Sequence, residues 1–449
     1  MKITFLGAVQ EVTGSKFLIQ NNKTKILVDC GLFQGSKKLT THNWDTFPIE
    51  PSSIDAIILT HAHIDHTGYI PLLVKNGFTG KIYCSQATYA LCAILLLDSG
   101  HLHEERAKKN KKIGRPHGYP LYTVIDADYS LQFFQTVDYD KVMSIGKNVT
   151  FTLTRSGHIL GSAFITLSDG KKTITFSGDI GRPNQLILKS PPHIKQTDFL
   201  VLESTYGNKL HAENDPITFL GKIVNETVAK GGTLIIPAFA VGRTQIILYC
   251  LYQLKKNKSI ADIPIFLDSP MAIRVTNLFC NYRNEYKLSP QLCEDIFNVA
   301  TYTSTPADSK HLYRIKEPLI IIAGSGMATG GRMLEHLKNF VSNAKNTILF
   351  VGFQVKGSYG RELINGTKKI KIDNQWYKVH AEIRSIKSLS AHADYNEILQ
   401  WLGYFESPPK KVFITHGEIE ASRALKKKIE KHFGWSVVIP KYLESFDLK

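Results

Sequence analysis

Six consecutive residues concentrate four potential metal ligands: His61-Ala62-His63-Ile64-Asp65-His66. They follow the apolar run 56–60, which predicts a buried strand, and a chain that curls past a strand end can bring alternate side chains together. Crowded imidazoles lower one another's pKa values and add nothing to a core. Zn²⁺ binds neutral imidazole and carboxylate, so the segment predicts a metal site, of dinuclear and hydrolytic type. A polar loop with chance histidines is the alternative.

Further candidate ligands stand at the ends of other predicted strands, each near a glycine: Asp29, His158, Asp179 and His416. Glycine permits tight turns and a close approach of backbone to a metal ion. A single His or Asp after a strand is usually a turn residue. The repeated order of strand, turn and ligand indicates that these residues join the site.

The basic charge of the chain favours a polyanionic partner. The 449 residues include 55 Lys+Arg and 39 Asp+Glu, a formal net charge of +16. Because the metal ligands include carboxylates, the excess positive charge must lie elsewhere on the surface, where nucleic acid is the obvious partner. The alternative is charge that only maintains solubility or reflects a Lys-rich genome.

Cysteine spacing and hydropathy indicate a cytoplasmic protein without a membrane partner. The six cysteines are scattered and form no CxxC pair, which argues against a disulfide framework and fits a reducing compartment. The longest apolar stretch of the first half, 91–97, is too short to span a bilayer and predicts a core helix.

Strand and helix patterns change twice along the chain. Residues 1–205 alternate short apolar strands with Gly-rich turns, which predicts mostly antiparallel sheets packed face to face with helices outside. Residues 206–375 place amphipathic helices between very apolar strands, as in a parallel α/β sheet. Strand patterns of the first kind return over 376–449. We therefore predict that 206–375 is inserted into a domain formed by 1–205 and 376–449.

The ordered ligands resemble a known family. Asp29, the 61–66 segment, His158 and Asp179 are similar to the motifs of the metallo-β-lactamase superfamily. Three further positions resemble the additional motifs of its β-CASP branch: Glu203, His392 and His416. Segments 237–243, 324–327 and 352–354 match other landmarks of that branch. The resemblance implies an αββα sandwich with an inserted α/β β-CASP domain that contains a mainly parallel sheet.

The resemblance also implies a role for each site residue. One Zn²⁺ would be held by His61, His63, His158 and Asp179. A second would be held by Asp65, His66, Asp179 and His416, with Asp179 bridging the two ions and Mn²⁺ able to substitute. Asp29 would orient a ligand histidine. Glu203 would support His392 as proton donor to the leaving oxygen, and Asp65 belongs to the same catalytic group.

Among the members of the family that this chain resembles, the residue at the position of His416 differs with the substrate. DNA-processing members typically have Val at this position, whereas RNA-processing members have His. The resemblance therefore implies a zinc-dependent ribonuclease of RNA processing or decay, which acts on single-stranded RNA and leaves 5′-phosphate and 3′-hydroxyl ends. Candidate RNA contacts are Arg243, Ser325, Gly326, Arg332 and the basic run 108–115. A plain strand-to-helix turn at 324–327 and a solvated loop at 108–115 are the alternatives.

The chain length resembles that of a short bacterial-type β-CASP ribonuclease, similar to the catalytic core of the pre-mRNA 3′-end processing endonuclease, with no room for an N-terminal RNA-binding extension. Other functions stay open. A small-molecule metallo-hydrolase of the same fold needs neither the insertion nor the basic surface. A non-catalytic RNA-binding subunit would have lost ligands, and a transfer-RNA 3′-processing enzyme needs no β-CASP motifs. The residues do not distinguish endonucleolytic from 5′–3′ exonucleolytic cleavage, and they do not settle RNA preference or homodimer formation.

Overall fold

A computed structural model describes residues 1–114, 116–212, 215–352, 354–355, 357–386 and 388–449. The chain divides into two compact units. The first contains Met1–Leu210 and His392–Lys449, and the second contains His211–Ala391. Arg115 of the basic run and Phe353 of the 352–354 landmark lie outside the described residues.

The opening segment of the first unit alternates short strands with helices. Its strands are β1 (Lys2–Phe5), β2 (Phe17–Asn21), β3 (Thr24–Val28), β4 (Ala56–Ile58), β5 (Lys81–Cys84), β6 (Phe134–Thr136), β7 (Met143–Ile145), β8 (Val149–Arg155), β9 (Ala163–Ser168), β10 (Thr173–Phe176) and β11 (Phe199–Glu203). Its helices are α1 (Lys37–Thr41), α2 (Ile64–Thr67), α3 (Ile70–Lys75), α4 (Gln86–Lys112) and α5 (Val124–Ser130).

The second unit begins with a helix and then alternates strands and helices. Its strands are β12 (Leu234–Pro237), β13 (Ile265–Leu267), β14 (Thr301–Tyr302), β15 (Ile320–Ala323), β16 (Thr347–Phe350), β17 (Lys369–Ile372), β18 (Gln375–Lys378) and β19 (Glu382–Ser385). Its helices are α6 (Pro216–Ala229), α7 (Arg243–Lys256), α8 (Pro270–Phe279), α9 (Pro290–Phe297), α10 (Pro306–His311), α11 (Gly331–Phe340) and α12 (Tyr359–Ile364).

The closing segment returns to the first unit with α13 (Tyr395–Leu402), β20 (Lys411–Thr415), α14 (Ile419–Phe433), β21 (Val437–Val438) and β22 (Ser445–Asp447). Short 3₁₀ turns occupy His42–Trp44, Pro51–Ser53, Leu131–Phe133, Arg283–Glu285 and Leu312–Arg314. No helix in the described part of the chain is both long and apolar enough to cross a bilayer.

Two sheets form the body of the first unit. Within the described residues their strand orders are β22-β1-β2-β3-β4-β5-β6 and β21-β20-β11-β10-β9-β8-β7. The prediction of mostly antiparallel pairing is wrong for half of each sheet. The β3–β6 strands pair in parallel, as do β10, β11, β20 and β21. Helices and long connections between these strands supply the crossovers that parallel pairing requires.

The two sheets of the first unit pack face to face around one apolar core. Alternate residues of β8 point inward, so that Phe151 and Leu153 meet Phe5 and Ile19 of the other sheet. On the outer face of the second sheet, Leu202 and its neighbours pack against α13 and α14. The arrangement is the expected sandwich of two sheets with helices outside.

A six-stranded sheet forms the core of the second unit, in the order β14-β13-β15-β12-β16-β19 over the described residues. Every pairing in it is parallel. Its central strands, such as β12 and β15, are buried along their whole length, as expected for strands covered on both faces. β19 belongs to this sheet, so the predicted boundary at residue 376 falls inside the compact second unit, which extends to Ala391.

One disulfide departs from the cysteine prediction. Cys280, at the end of α8, is bonded to Cys293 on α9. Both helices contact α7, which brings together two cysteines that are 13 positions apart in the chain. The scattered spacing, which argues against a disulfide framework, gave no sign of this one pair. The other cysteines are buried thiols: Cys30, Cys84, Cys92 and Cys250.

Candidate metal centre

The 61–66 segment leaves the buried end of β4 and enters α2. His61 and His63 precede the helix, whereas Asp65 and His66 lie within it. The strand β3 approaches this helix closely, because the Cys30 amide donates to the His66 carbonyl at 2.7 Å. A Cβ on Gly31 would lie 1.6 Å from the Asp65 carbonyl oxygen, so only glycine permits this approach.

The first group of potential ligands converges from three separate loops. His61, His63, His158 and Asp179 each offer an atom to it. Nε2 of His61 lies 3.1 Å from Nδ1 of His63, which is 3.4 Å from Nε2 of His158. Oδ2 of Asp179 lies 3.3 Å from the His61 nitrogen and 3.2 Å from the His158 nitrogen. The four atoms therefore surround one point.

A second group lies on the other side of Asp179 and comprises Asp65, His66 and His416. Nε2 of His66 lies 3.1 Å from Nε2 of His416, which is 3.5 Å from Oδ2 of Asp65. Oδ1 of Asp179 is 3.5 Å from Nε2 of His66. The two carboxylate oxygens of Asp179 thus face different ligand groups, which is the arrangement of a bridging carboxylate.

The donor atoms fit metal ions. Ligand atoms about 2.0–2.2 Å from a tetrahedral Zn²⁺ are separated by about 3.3–3.6 Å, close to the spacings found here. Oδ1 of Asp179 is buried and has no hydrogen-bond partner among the described residues. A carboxylate oxygen desolvated in this way needs a positive partner, and imidazole nitrogens that face one another need a shared cation. The groups together form a metal site.

Burial sets the protonation state that a metal requires. It lowers the pKa of His61 to about 3, helped by the charge of His66, and the pKa of His63 to about 4. Burial would raise the pKa of Asp65, but hydrogen bonding to His416 and nearby charges hold it below its ordinary value. Neutral imidazoles and an ionised carboxylate are therefore present at neutral pH, ready to bind a cation.

Asp29 orients His66. Nδ1 of His66 donates to Oδ2 of Asp29 at 2.7 Å, and the Thr60 amide and hydroxyl donate to the same carboxylate. Because a carboxylate only accepts, Nδ1 carries the hydrogen and Nε2 faces the ligand group. Burial would lower the pKa of His66, but the charges of Asp179 and Asp29 raise it well above its ordinary value, so a metal ion would take the place of a proton on Nε2. Asp29 and His416 both have positive φ angles, 57° and 50°. Such backbone is uncommon for residues other than glycine, and it aims both side chains into the site.

Glu203 and His392 form a buried pair beside the ligands. Glu203 ends β11, and its Oε1 accepts from the Ile180 amide at 2.6 Å. The His392 backbone forms an isolated antiparallel β-bridge with Gly181. Its side chain is 17% exposed, whereas the side chain of Glu203 is fully buried. Burial would lower the pKa of His392, but the negative charges of Glu203 and Asp179 outweigh it and raise the pKa to about 9. The imidazole is therefore cationic at neutral pH.

Family models and an individual relative show the family of the chain. The model of the metallo-β-lactamase superfamily matches residues 11–211, that of the Beta-Casp domain matches 244–363, and that of the Zn-dependent metallo-hydrolase RNA specificity domain matches 376–440. The chain is 33% identical over 435 residues to Ribonuclease TTHA0252 of Thermus thermophilus, with 95% of each protein covered. It belongs to the β-CASP branch of the metallo-β-lactamase superfamily.

Other β-CASP relatives and a solved structure extend the similarity. The chain is 31% identical over 453 residues to Transcription termination factor FttA of Methanosarcina mazei, covering 96% of this chain and 69% of that protein. A crystal structure of an Enterococcus faecalis protein of unknown function aligns with a TM-score of 0.57 and 12% identity, over 99% of both chains. At that identity the structural likeness concerns the fold alone.

In the β-CASP unit, the predicted RNA contacts lie in packed surroundings. Arg243 begins α7 and is buried. The Ser325 hydroxyl accepts from the Thr329 amide at 3.0 Å, and the Gly326 carbonyl accepts from the Gln354 side chain at 3.0 Å. These bonds join the 324–327 turn to Thr329 and Gln354. Contact of these residues with RNA stays a prediction.

Arg332 belongs to a buried network that sequence reasoning missed. Its guanidinium binds Asp268 and donates to the carbonyls of Thr303 and Ser304. Nε2 of His336 lies 2.7 Å from the same carboxylate. Hydrogen bonds from His336, Ser309 and Thr303 outweigh burial and lower the pKa of Asp268 to about 2. The available sequence signal was a lone aspartate directly after the apolar strand β13.

The basic run is helical through Lys112, whereas the alternative to an RNA contact was a solvated loop. Residues 108–112 form the last turns of α4, the helix that also contains the apolar stretch 91–97. The four lysines of the run are exposed. Lys108 pairs with Glu105 at 3.1 Å within the helix.

Proposed function

We propose that this β-CASP protein is a zinc-dependent ribonuclease that hydrolyses single-stranded RNA to 5′-phosphate and 3′-hydroxyl ends. One observation carries the proposal. Asp179 faces two complete ligand groups with its two oxygens, and the Glu203–His392 pair lies beside them, with Nδ1 of His392 only 3.9 Å from Oδ2 of Asp179. A dinuclear site flanked by a cationic imidazole suits phosphodiester hydrolysis better than the open site of a small-molecule hydrolase.

Each ion would have its own ligands. His61, His63, His158 and Asp179 would hold one Zn²⁺. Asp65, His66, His416 and Asp179 would hold the other, and Mn²⁺ could replace either. When bound, the pair supplies Lewis acidity, which generates a hydroxide nucleophile at neutral pH and offsets charge on the phosphate. Asp29 accepts the Nδ1 hydrogen of His66 and so turns Nε2 toward the ion.

His392 would act as the general acid. Its Nδ1 hydrogen is committed to Glu203, which leaves Nε2 to deliver a proton to the departing 3′-oxygen. The raised pKa keeps that proton in place at neutral pH until the leaving oxygen becomes basic. Glu203 would hold the ring in position and stabilise its positive charge.

Three observations support RNA as the substrate. His416 completes the second ligand group, as in RNA-processing members of the family. The closing segment matches an RNA specificity domain, and a relative of which the chain covers 95% is named a ribonuclease. The net charge of +16 favours a polyanion.

Cleavage assays test the proposal. Purified protein is incubated with 5′-labelled and internally labelled RNA, with and without a chelator, and Zn²⁺ or Mn²⁺ is then restored. We expect chelator-sensitive cleavage that is lost in His416→Ala and kept in His432→Ala, an exposed histidine of the same segment. Absence of chelator-sensitive cleavage of any RNA would refute the proposal.

Substrates with 5′-monophosphate, 5′-triphosphate or circular backbones separate endonucleolytic from 5′–3′ exonucleolytic cleavage. Light scattering measures the molar mass in solution and so tests homodimer formation. The homodimer and the cytoplasmic location both stay predictions.

A further inference from the structure

A two-stranded hairpin of the β-CASP unit has one strongly basic face. β17 and β18 pair with Lys369 opposite Lys378 and Lys371 opposite Trp376. Directly paired residues and alternate residues of a strand share a face, so these four side chains lie together. All four are exposed, and the Trp376 side chain is 57% exposed. We call Lys369, Lys371, Trp376 and Lys378 the lysine–tryptophan face.

The hairpin is anchored by its other face. Ile370 and Ile372 are fully buried in the core of the unit, and Tyr377 packs against the same cluster. The Tyr359 hydroxyl donates to the Lys371 carbonyl at 2.6 Å, and the Ser342 hydroxyl donates to the Lys378 carbonyl at 2.8 Å. The lysine–tryptophan face is therefore held on a fixed support.

Charge on this face is only partly balanced within the folded protein, because the lysines repel one another while two of them also make cation–π contacts with Trp376. Like charges directly opposite one another on paired strands are destabilising, as at Lys369 and Lys378. The ammonium of Lys369 lies 4.7 Å from the Trp376 ring centre and that of Lys371 lies 6.0 Å from it. The nearby acid, Asp373 in the turn, is paired with Lys338 at 2.8 Å. An anionic ligand with flat rings would offset the repulsion and cover the indole.

We propose that the lysine–tryptophan face is an RNA-binding site, separate from the metal centre's own ligands, for single-stranded RNA. A base stacks on Trp376, and the three lysines contact the flanking phosphates. Stacking on an aromatic ring and phosphate neutralisation together are the general means by which proteins hold single strands without sequence preference. The proposal rests on RNA being the substrate of this enzyme.

RNA fits this face better than other macromolecules. Three lysines share the face with a single indole, so the face offers much charge and little apolar area. A membrane-binding surface would need more apolar side chains to enter the lipid, and a protein interface of useful size would be depleted in lysine. The flat hairpin also leaves the ring accessible from solvent, as base stacking requires.

Binding can be measured without cleavage. Full-length protein is titrated against fluorescein-labelled oligouridylate in EDTA at several KCl concentrations. We expect Trp376→Ala to weaken binding about 5- to 100-fold with little change in the salt slope, and Trp376→Phe to weaken it less. Replacing Lys369, Lys371 and Lys378 with Gln should lower the slope by about 2, since each phosphate contact on a single strand contributes about 0.7.

A matched charge control uses exposed lysines elsewhere in the same unit. Lys256, Lys258 and Lys316, changed together to Gln, remove the same charge. The proposal requires this variant to keep the parent slope and affinity. Equal losses in both triple variants would mean that only the overall field matters, and unchanged binding in Trp376→Ala and the hairpin triple variant would refute the site.

The outcomes also separate this inference from the proposed function. Wild-type protein that binds RNA through the hairpin but cleaves none would refute the ribonuclease and leave the site standing. If the wild-type protein cleaves RNA and the hairpin variants bind and cleave it like the parent, the ribonuclease stands and the hairpin site is refuted. Co-sedimentation with phosphatidylserine vesicles tests a membrane partner. If Trp376→Ala abolishes vesicle binding but leaves RNA binding unchanged, the face binds membranes and the proposal is overturned.

Discussion

Nδ1 of His392 lies 3.1 Å from Oε2 of Glu203, although 189 positions separate the two residues in the chain. Because the carboxylate only accepts hydrogen bonds, the contact fixes the hydrogen on Nδ1 and leaves Nε2 for the substrate. His392 also lies 3.9 Å from Asp179, close to the ligands but outside the two groups around Asp179. This geometry separates the proton donor from the metal ligands.

His392→Ala should keep both metal ions and lose most of its cleavage. General acid assistance typically contributes about 10²- to 10⁴-fold, so kcat should fall within that range. Elemental analysis of the purified variant measures the metal content, and single-turnover assays measure cleavage. A variant that loses a metal ion would make His392 a ligand and remove it from the role of proton donor.

Glu203→Gln should shift the pH profile of kcat toward lower pH on its basic side. His392 must be protonated to donate, so activity falls as pH rises through its pKa, which Glu203 raises. Removing the negative charge lowers that pKa, and the decline then begins at lower pH. Metal ions act on parent and variant alike, so the difference reports the pair. Superimposable profiles would show that Glu203 does not tune His392.

Asp179→Ala should abolish both activity and metal binding. Its two oxygens face both ligand groups, so one substitution removes a ligand from each. Isothermal titration of metal-free protein with Zn²⁺ should show fewer or much weaker sites than in the parent. Retention of two tight sites would show that Asp179 does not bridge them.

Asp29→Asn tests whether Asp29 orients the ligand His66 or itself binds a metal ion. Asp29 touches His66 and Thr60 and contributes no atom to the ligand groups. Partners of this kind typically change metal affinity or activity by about 10- to 100-fold. We expect a loss in that range with an unchanged number of metal sites. A complete loss of metal would show that the carboxylate binds an ion itself.

Asp268→Ala should destabilise the β-CASP unit. Asp268 is fully buried and joins Arg332 to His336, so its removal leaves positive and polar groups without their partner. Breaking such a pair costs about 3–5 kcal/mol. Urea unfolding measures the change. Asp262→Ala is the control, because Asp262 is 95% exposed and pairs with Lys255 at the surface. Equal stability of both variants would contradict the structural role of the network.

Much of the metal centre follows from the sequence because its ligands obey a local rule. His158, Asp179 and His416 each follow a predicted strand. Parallel pairing brings the ends of β10, β11 and β20 to one edge, and β8 ends at the same edge because β9 pairs antiparallel with both β8 and β10. Strand periodicity identifies the ends reliably, and glycines mark the turns. The same periodicity does not specify pairing direction, which is why the parallel halves of both sheets were not predicted.

Features that depend on tertiary packing could not be predicted in the same way. Arg332 beside glycines suggests a phosphate contact, but its partner Asp268 is 64 positions away and nothing local indicates the pair. The Cys280–Cys293 disulfide depends on two helices that both contact α7. The hairpin did have a local signal, since Asp373 and Asn374 both have positive φ in a two-residue turn between alternating strands.

The position of His416 has a consequence for synthesis of the enzyme. The first ligand group is complete once Asp179 has been made, whereas His392 and His416 follow the whole β-CASP unit in the chain. A nascent polypeptide on the ribosome can therefore assemble at most half of the centre. His392 and His416 are not both present in the chain until translation has passed β20, so the proton donor and the second ligand group are completed last.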